Sequence, residues 1–110
     1  MVTAEKREDG VSSLRIEGEM SIYRASELKQ LLLDSLRQST VLEIDLSGVS
    51  ELDTAGVQLL LMAKREAQAG QRELRLTAHS PAVLEVFELL DLGASFGDAL
   101  VIPTPTARRS

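Results

Sequence analysis

Leu14 and Ile16 stand between polar neighbours in residues 11–18, the two-residue alternation of a strand with one buried face. The spacing then changes. Over residues 24–37 the apolar positions Ala25, Leu28, Leu31, Leu32 and Leu36 recur at intervals of three and four, laying one stripe along a helix whose outer face is charged. Ser21 is placed to cap its start. Residues 41–46 return to alternation, with Leu42, Ile44 and Leu46 on one side and Val41 on the other, as in a central strand. Ser47-Gly48-Val49-Ser50 reads as a turn. From Asp53 onward Val57, Leu60 and Leu61 mark a second helix that runs to about Ala69, where Gly70 stops it. Leu59 and Met62 make that helix apolar on more than one face. Leu74 and Leu76 alternate within residues 73–77 as another strand, and Ser80-Pro81 opens a third helix through Phe87 to about Leu90. Past Gly93, residues 99–102 form a short apolar edge strand ended by Pro103. The tail, residues 103–110, carries no core positions and is expected to be disordered, which leaves one domain over residues 1–102.

A strand or strands first, then helix, strand, helix, strand, helix, strand, is the order of a one-domain α/β protein with a largely parallel interior. Composition supports a packed core. The 44% hydrophobic and 26% charged content of this 110-residue chain sits near the roughly 45–50% and 25% of soluble globular domains. Aromatic residues make up 3%, which leaves few platforms for stacking bases, and the net charge of −5 opposes nucleic acid and anionic membranes, whose binding neutralises phosphate with Lys and Arg. With no cysteine, disulfides, thiolate metal sites and cysteine nucleophiles drop out. The first ten residues lack the apolar stretch of a signal peptide and no run approaches the ~20 apolar residues of a membrane span, so a cytoplasmic location without membrane insertion is expected.

The segment that can carry chemistry is Asp45-Leu46-Ser47-Gly48-Val49-Ser50-Glu51-Leu52-Asp53-Thr54-Ala55-Gly56-Val57, which joins the central strand to the second helix. In open α/β sheets, ligands and partners meet the chain at the carboxyl ends of strands. Asp53 and Thr54 fall where a helix begins, so their oxygens suit its orphan N–H groups, and two capping residues is the plain structural reading. A phosphate on Thr54 would meet the same groups without melting the helix.

Asp45-Leu46-Ser47-Gly48 followed by Leu52-Asp53-Thr54-Ala55-Gly56 resembles the central motif of STAS domains, the fold family of bacterial anti-sigma factor antagonists. Gly18-Glu19-Met20 is similar to that family's Gly-Glu-Leu/Met turn, Ser80-Pro81-Ala82-Val83 to its Ser-Pro-x-Val helix start, and Leu89 to Gly93 fits its end. The resemblance implies a mixed sheet of about four to five strands with three to four helices packed mainly on one face. It also implies that Thr54, the first hydroxyl residue after Asp53, is the regulatory phosphorylation site. Phosphorylated antagonists usually carry Ser at that position and often a second Ser where this chain has Ala55; STAS domains of lipid and anion transport systems also carry Thr there.

Rival chemistries are weaker. His79 stands alone, with no second His or Cys to complete a metal site, and suits a turn or capping role better than a general base. Asp45 and Asp53 offer two carboxylates, but acid–base or cation chemistry needs them in one cleft. Asp53-Thr54-Ala55-Gly56 also resembles the Asp-Thr-Gly motif of dimeric aspartic proteases, which are almost wholly β, whereas here the motif leads into a helix. There is no Gly-x-x-x-x-Gly-Lys loop for a nucleotide. The sequence therefore points to a non-catalytic binding module without cofactor or metal. The resemblance implies that its Asp53, Thr54, Ala55, Gly56 and Gln58 dock a serine/threonine kinase-type anti-sigma factor or related signalling ATPase, under phosphorylation at Thr54. The alternative is an accessory subunit of a lipid or anion transporter, bound to its ATPase or permease component.

Overall fold

A computed structural model of the chain describes residues 2–6 and 9–90. Four strands form one sheet in the order β1-β2-β3-β4, with β1 (Val2–Lys6), β2 (Val11–Met20), β3 (Val41–Leu52) and β4 (Glu73–His79). β1 pairs antiparallel with β2, while β2 with β3 and β3 with β4 are parallel. A short 3-10 turn, Ile22–Arg24, leads into α1 (Ala25–Arg37), the crossover from β2 to β3; α2 (Thr54–Ala69) crosses from β3 to β4, and α3 (Pro81–Leu90) follows β4. This is the parallel α/β interior expected from the order of elements and the mixed sheet that the family resemblance implies. The expected edge strand over 99–102, Gly93 before it and the tail over 103–110 lie outside the described residues.

One core joins the helices to a single sheet face. Leu14, Ile16, Leu42, Ile44, Leu46, Leu74 and Leu76 point into it from the strands, and Leu28, Leu32, Leu36, Val57, Leu60, Val83 and Phe87 meet them from the helices. The opposite sheet face is charged: Arg15 pairs with Asp45 at 3.0 Å and Glu17 at 3.1 Å, and Arg75 with Glu73 at 2.8 Å and Glu43 at 3.5 Å. Period-two strands with one apolar and one ionic face are what an uncovered sheet side requires.

The charged start supplies the further strand that the order of elements left open: β1 adds the antiparallel edge and half-buries Val2 on the core. Two local readings are corrected. Ser47-Gly48-Val49-Ser50 is not a turn but the middle of β3, which runs on to Leu52. The register explains the misreading. Arg15 and Glu17 face Asp45 and Gly48, and Gly18 and Glu19 face Val49 and Glu51, so β3 carries two extra residues relative to β2. Each bulge moves the next inward residue from a step of two to a step of three, giving Leu46, Val49 and Leu52 as successive buried positions. Finally, Ser21 caps the 3-10 turn rather than α1: its Oγ accepts the Tyr23 N–H, and α1 begins behind that turn at Ala25.

Candidate functional site

The first turn of α2 is held by Asp53, the N-cap residue, from two directions. Its Oδ1 accepts the Gly56 N–H at 3.0 Å, the ordinary N-cap bond, and its backbone carbonyl accepts the Val57 N–H at 3.0 Å. Its Oδ2 accepts the N–H of Ile22 at 3.1 Å, and its own N–H donates to the Met20 carbonyl at 3.2 Å. One carboxylate therefore ties the end of β3, the start of α2 and the 3-10 turn after β2 together.

Gly56 makes this junction possible. A Cβ there would run into the Met20 carbonyl oxygen and stand 2.6 Å from Leu52 Cδ1, so α2 can approach the strand ends this closely only with glycine. On the other side, Gly18 takes φ +92°, and the Arg24 guanidinium spans this kink by donating to the carbonyls of Glu17 at 3.0 Å and Glu19 at 2.8 Å. Ser21 Oγ donates to Glu19 Oε1 at 2.6 Å, closing the corner. The turn after β2 is thus pinned on both flanks.

On this scaffold Thr54 is exposed as the first residue of α2, Gln58 is exposed one turn on, Ala55 is half-buried and Gly56 is buried. Four of the five residues singled out from the sequence, Asp53, Thr54, Ala55 and Gln58, reach the surface at one helix end; the fifth, Gly56, shapes it from beneath. Two neighbours were not singled out. Ile22 and Tyr23 are 67% and 90% exposed, and the Asp53 carboxylate holds their turn against the start of α2. Two large apolar residues directly after a capping Ser, outside any alternating or helical stripe, are the signal that marks them in the sequence.

The remaining candidates separate. Asp45 lies on the charged sheet face, where the Ser47 hydroxyl at 2.6 Å and N–H at 2.8 Å, with Arg15 beside them, hold its carboxyl below the usual carboxylate range. Both Asp53 oxygens are occupied by backbone N–H groups at the far end of the strand, so the two carboxylates do not form a pair. His79 ends β4 and lays its ring against Phe87, with centroids 6.0 Å apart. Among the described residues no group of three or more His, Asp or Glu side chains is placed to hold a metal ion. Because α2 starts at Thr54, the Asp53-Thr54-Ala55-Gly56 run has no protease-like β setting.

A family model described as Mlab, STAS domain matches residues 3–102. The chain belongs to the STAS domain family. Solved structures with the same STAS fold include the anti-sigma factor antagonist SpoIIAA in its unphosphorylated form, 24% identical over 90% of this chain and 88% of that one, with a TM-score of 0.73. An anti-sigma factor antagonist from Mycobacterium paratuberculosis is 25% identical over 93% of this chain and 88% of that one, with a TM-score of 0.75. The phosphorylated form of the Bacillus cell fate determinant SpoIIAA superposes with a TM-score of 0.69 at 23% identity, covering 90% and 91% of the two chains. No curated protein matches the sequence.

Proposed function

We propose that this STAS domain is a non-catalytic protein-binding switch of the anti-sigma antagonist kind, which docks a serine/threonine kinase-type anti-sigma factor or related signalling ATPase in the cytoplasm through the start of α2. The observation that carries this reading is an exposed hydroxyl, Thr54, on the first turn of a rigidly capped 16-residue helix, beside the exposed apolar pair Ile22 and Tyr23. Aromatic side chains in pockets dominate the energetics of protein interfaces, and a hydroxyl beside them is a point at which charge can be changed. Asp53, Ala55, Gly56 and Gln58 complete the docking surface. Solved structures of this fold include anti-sigma factor antagonists, one of them in a phosphorylated form, which supports the same use of the site here.

Phosphorylation of Thr54 adds about −1.5 to −2 charges at pH 7. The helix N-terminus tolerates that charge, so the fold survives. A partner interface that had buried a neutral hydroxyl must then desolvate a dianion, so the partner leaves. Thr rather than Ser at position 54 favours a second reading, an accessory subunit packed constantly against the ATPase or permease component of a lipid or anion transporter. No helix among the described residues is long and apolar enough to cross a membrane, so that reading also needs a partner chain.

Calorimetric titration of the purified chain separates the two readings. The partners are a kinase-type anti-sigma factor and a transporter ATPase subunit from the same genome. The switch requires wild type and Thr54→Ala to bind the kinase-type partner, Thr54→Glu to lose at least tenfold in affinity with an unchanged melting temperature, and Thr54→Ala to resist phosphorylation. Equal binding of Thr54→Glu and wild type would sink it, and binding to the transporter subunit alone would replace it with the second reading.

A further inference from the structure

A second surface lies on the outer side of the helical layer. Between α1 and α2 runs an open groove of about 400 Å³. Its floor is apolar, made by Leu33 and Leu36 of α1 and Met62 of α2, with Leu33 and Met62 only half-buried. Leu33 and Leu36 stand about one turn apart on α1 and Met62 lines the same valley from α2, the kind of valley between two helices into which a third packs. Met62 is two turns along α2 from Thr54, roughly 12 Å on the helix rise, so the groove is distinct from the switch end.

The rim is cationic in a chain whose net charge is −5. Elsewhere on the described surface, Arg15 and Arg75 pair with carboxylates of the sheet face and Arg24 with backbone carbonyls, while Arg65 of α2 stands exposed. At the groove, Arg37 has an exposed partner in Asp34 at 3.1 Å, but Lys29 and Arg72 have no carboxylate partner among the described residues. Arg72 is held in place by donating its Nε to the Ser39 carbonyl at 3.1 Å, which leaves the rest of its guanidinium at the rim. Glu66 is the one acidic group lining the groove. Two uncompensated cations over an apolar floor call for an occupant that brings both carboxylates and apolar side chains.

We infer that the α1–α2 groove docks an acidic amphipathic helix of a partner protein, its apolar stripe on Leu33 and Met62 and its carboxylates on Lys29 and Arg72. An open groove does not bury enough of a small anion to hold it. An anionic membrane is disfavoured because recognition of its headgroups takes clusters of about four to eight basic residues, more than this rim supplies. A second copy meeting the groove face to face would set the same cationic rim against this one, a like-charge juxtaposition that disfavours the pairing. The inference does not depend on the reading of Thr54.

The probe is a fluorescein-labelled 14-residue synthetic helix with Leu at intervals of three and four and Glu on the flanks. A control peptide carries Lys for every Glu. Binding is read by anisotropy and by amide shift mapping on the full 110-residue chain. The expected result is saturable binding of the Glu peptide and none of the Lys peptide, with shifts at Lys29, Leu33, Met62 and Arg72 but not at Thr54 or Gln58. Lys29→Glu should weaken binding at least tenfold, Lys29→Arg should preserve it, and salt raised from roughly 50 to 500 mM should weaken it several-fold. No saturable binding up to about 1 mM peptide, or shifts centred on Thr54, overturns the inference. So does association with phosphatidylglycerol vesicles, or a concentration-dependent oligomer in sedimentation, that Lys29→Glu abolishes while the peptide fails to bind.

Discussion

At the carboxyl ends of β3 and β4 the chain turns into a helix by the same device. Asp53 accepts the N–H of Gly56 at 3.0 Å, and Ser80 accepts that of Val83 at 3.1 Å. In each case the cap carbonyl also takes the N–H of the residue four along, Val57 or Leu84. The surroundings then diverge. Ser80 is 5% exposed, its N–H donates to the Leu46 carbonyl at 3.1 Å, and Pro81 fills the first helical position without an N–H. The α2 junction keeps its cap and first residue at the surface, spends its second carboxylate oxygen on a neighbouring turn, and offers a hydroxyl where α3 offers a proline. A helix start becomes a candidate site through what its cap leaves exposed, since the capping bond itself is the same at both.

The largest test of this contrast removes the core that both junctions share. Phe87 is fully buried among strand and helix residues, so Phe87→Ala should cost about 3–5 kcal/mol in urea unfolding. A loss under about 1 kcal/mol would mean that α3 does not seat in the same core as α2. Gly56→Ala comes next. Its methyl would enter the space of the Met20 carbonyl, which is backbone and has little room to give, so about 1–3 kcal/mol should be lost, with amide shifts along Met20 to Asp53. A neutral Gly56→Ala would show that the close approach of α2 to the strand ends is not what positions Thr54.

Removing the two caps sharpens the comparison directly. Ser80→Ala leaves a donor with no water to replace the lost oxygen and should cost about 2 kcal/mol, whereas Asp53→Ala, at an exposed end, should cost about 1 kcal/mol or less. The order should reverse for function: Asp53→Ala also frees the Ile22 and Tyr23 turn and should weaken partner binding more than Ser80→Ala. Equal effects of the two variants on binding would make the α2 end an ordinary helix start.

The smallest effect lies away from both junctions. The Ser47 hydroxyl and N–H, with Arg15, hold the folded Asp45 carboxyl below its ordinary value. Its contribution is therefore fully present above the usual carboxylate range near pH 4 and lost as pH falls through the depressed folded value. Asp45→Asn should cost at most about 1 kcal/mol at pH 7, because the group is partly exposed, and the difference from wild type should shrink in stronger acid. A difference that grew on acidification would contradict the assigned sign. Partner binding should not change with this variant, since the ionic sheet face lies apart from the α2 end.

Local pattern by itself determined most elements and the location of the candidate site. The three-and-four spacing of Leu28, Leu32 and Leu36, the alternation of Leu42, Ile44 and Leu46, and the Ser80-Pro81 start all keep their meaning in the structure, because burial on one face imposes those periods. The Asp53-Thr54 helix start was legible for the same reason: a cap is made within a few residues of chain. What only the tertiary structure decided depends on neighbours distant in sequence. The two bulges that carry β3 through Ser47-Gly48-Val49-Ser50 to Leu52 exist only against β2, and a broken alternation in one strand looks like a turn until its partner supplies the register. Pairing with β2 likewise makes a strand of the charged Val2–Lys6 segment. The bond from Ile22 to Asp53 brings the Ile22–Arg24 turn to the start of α2 across 31 residues of chain, and no spacing rule along one segment can report a contact that the sheet crossover creates.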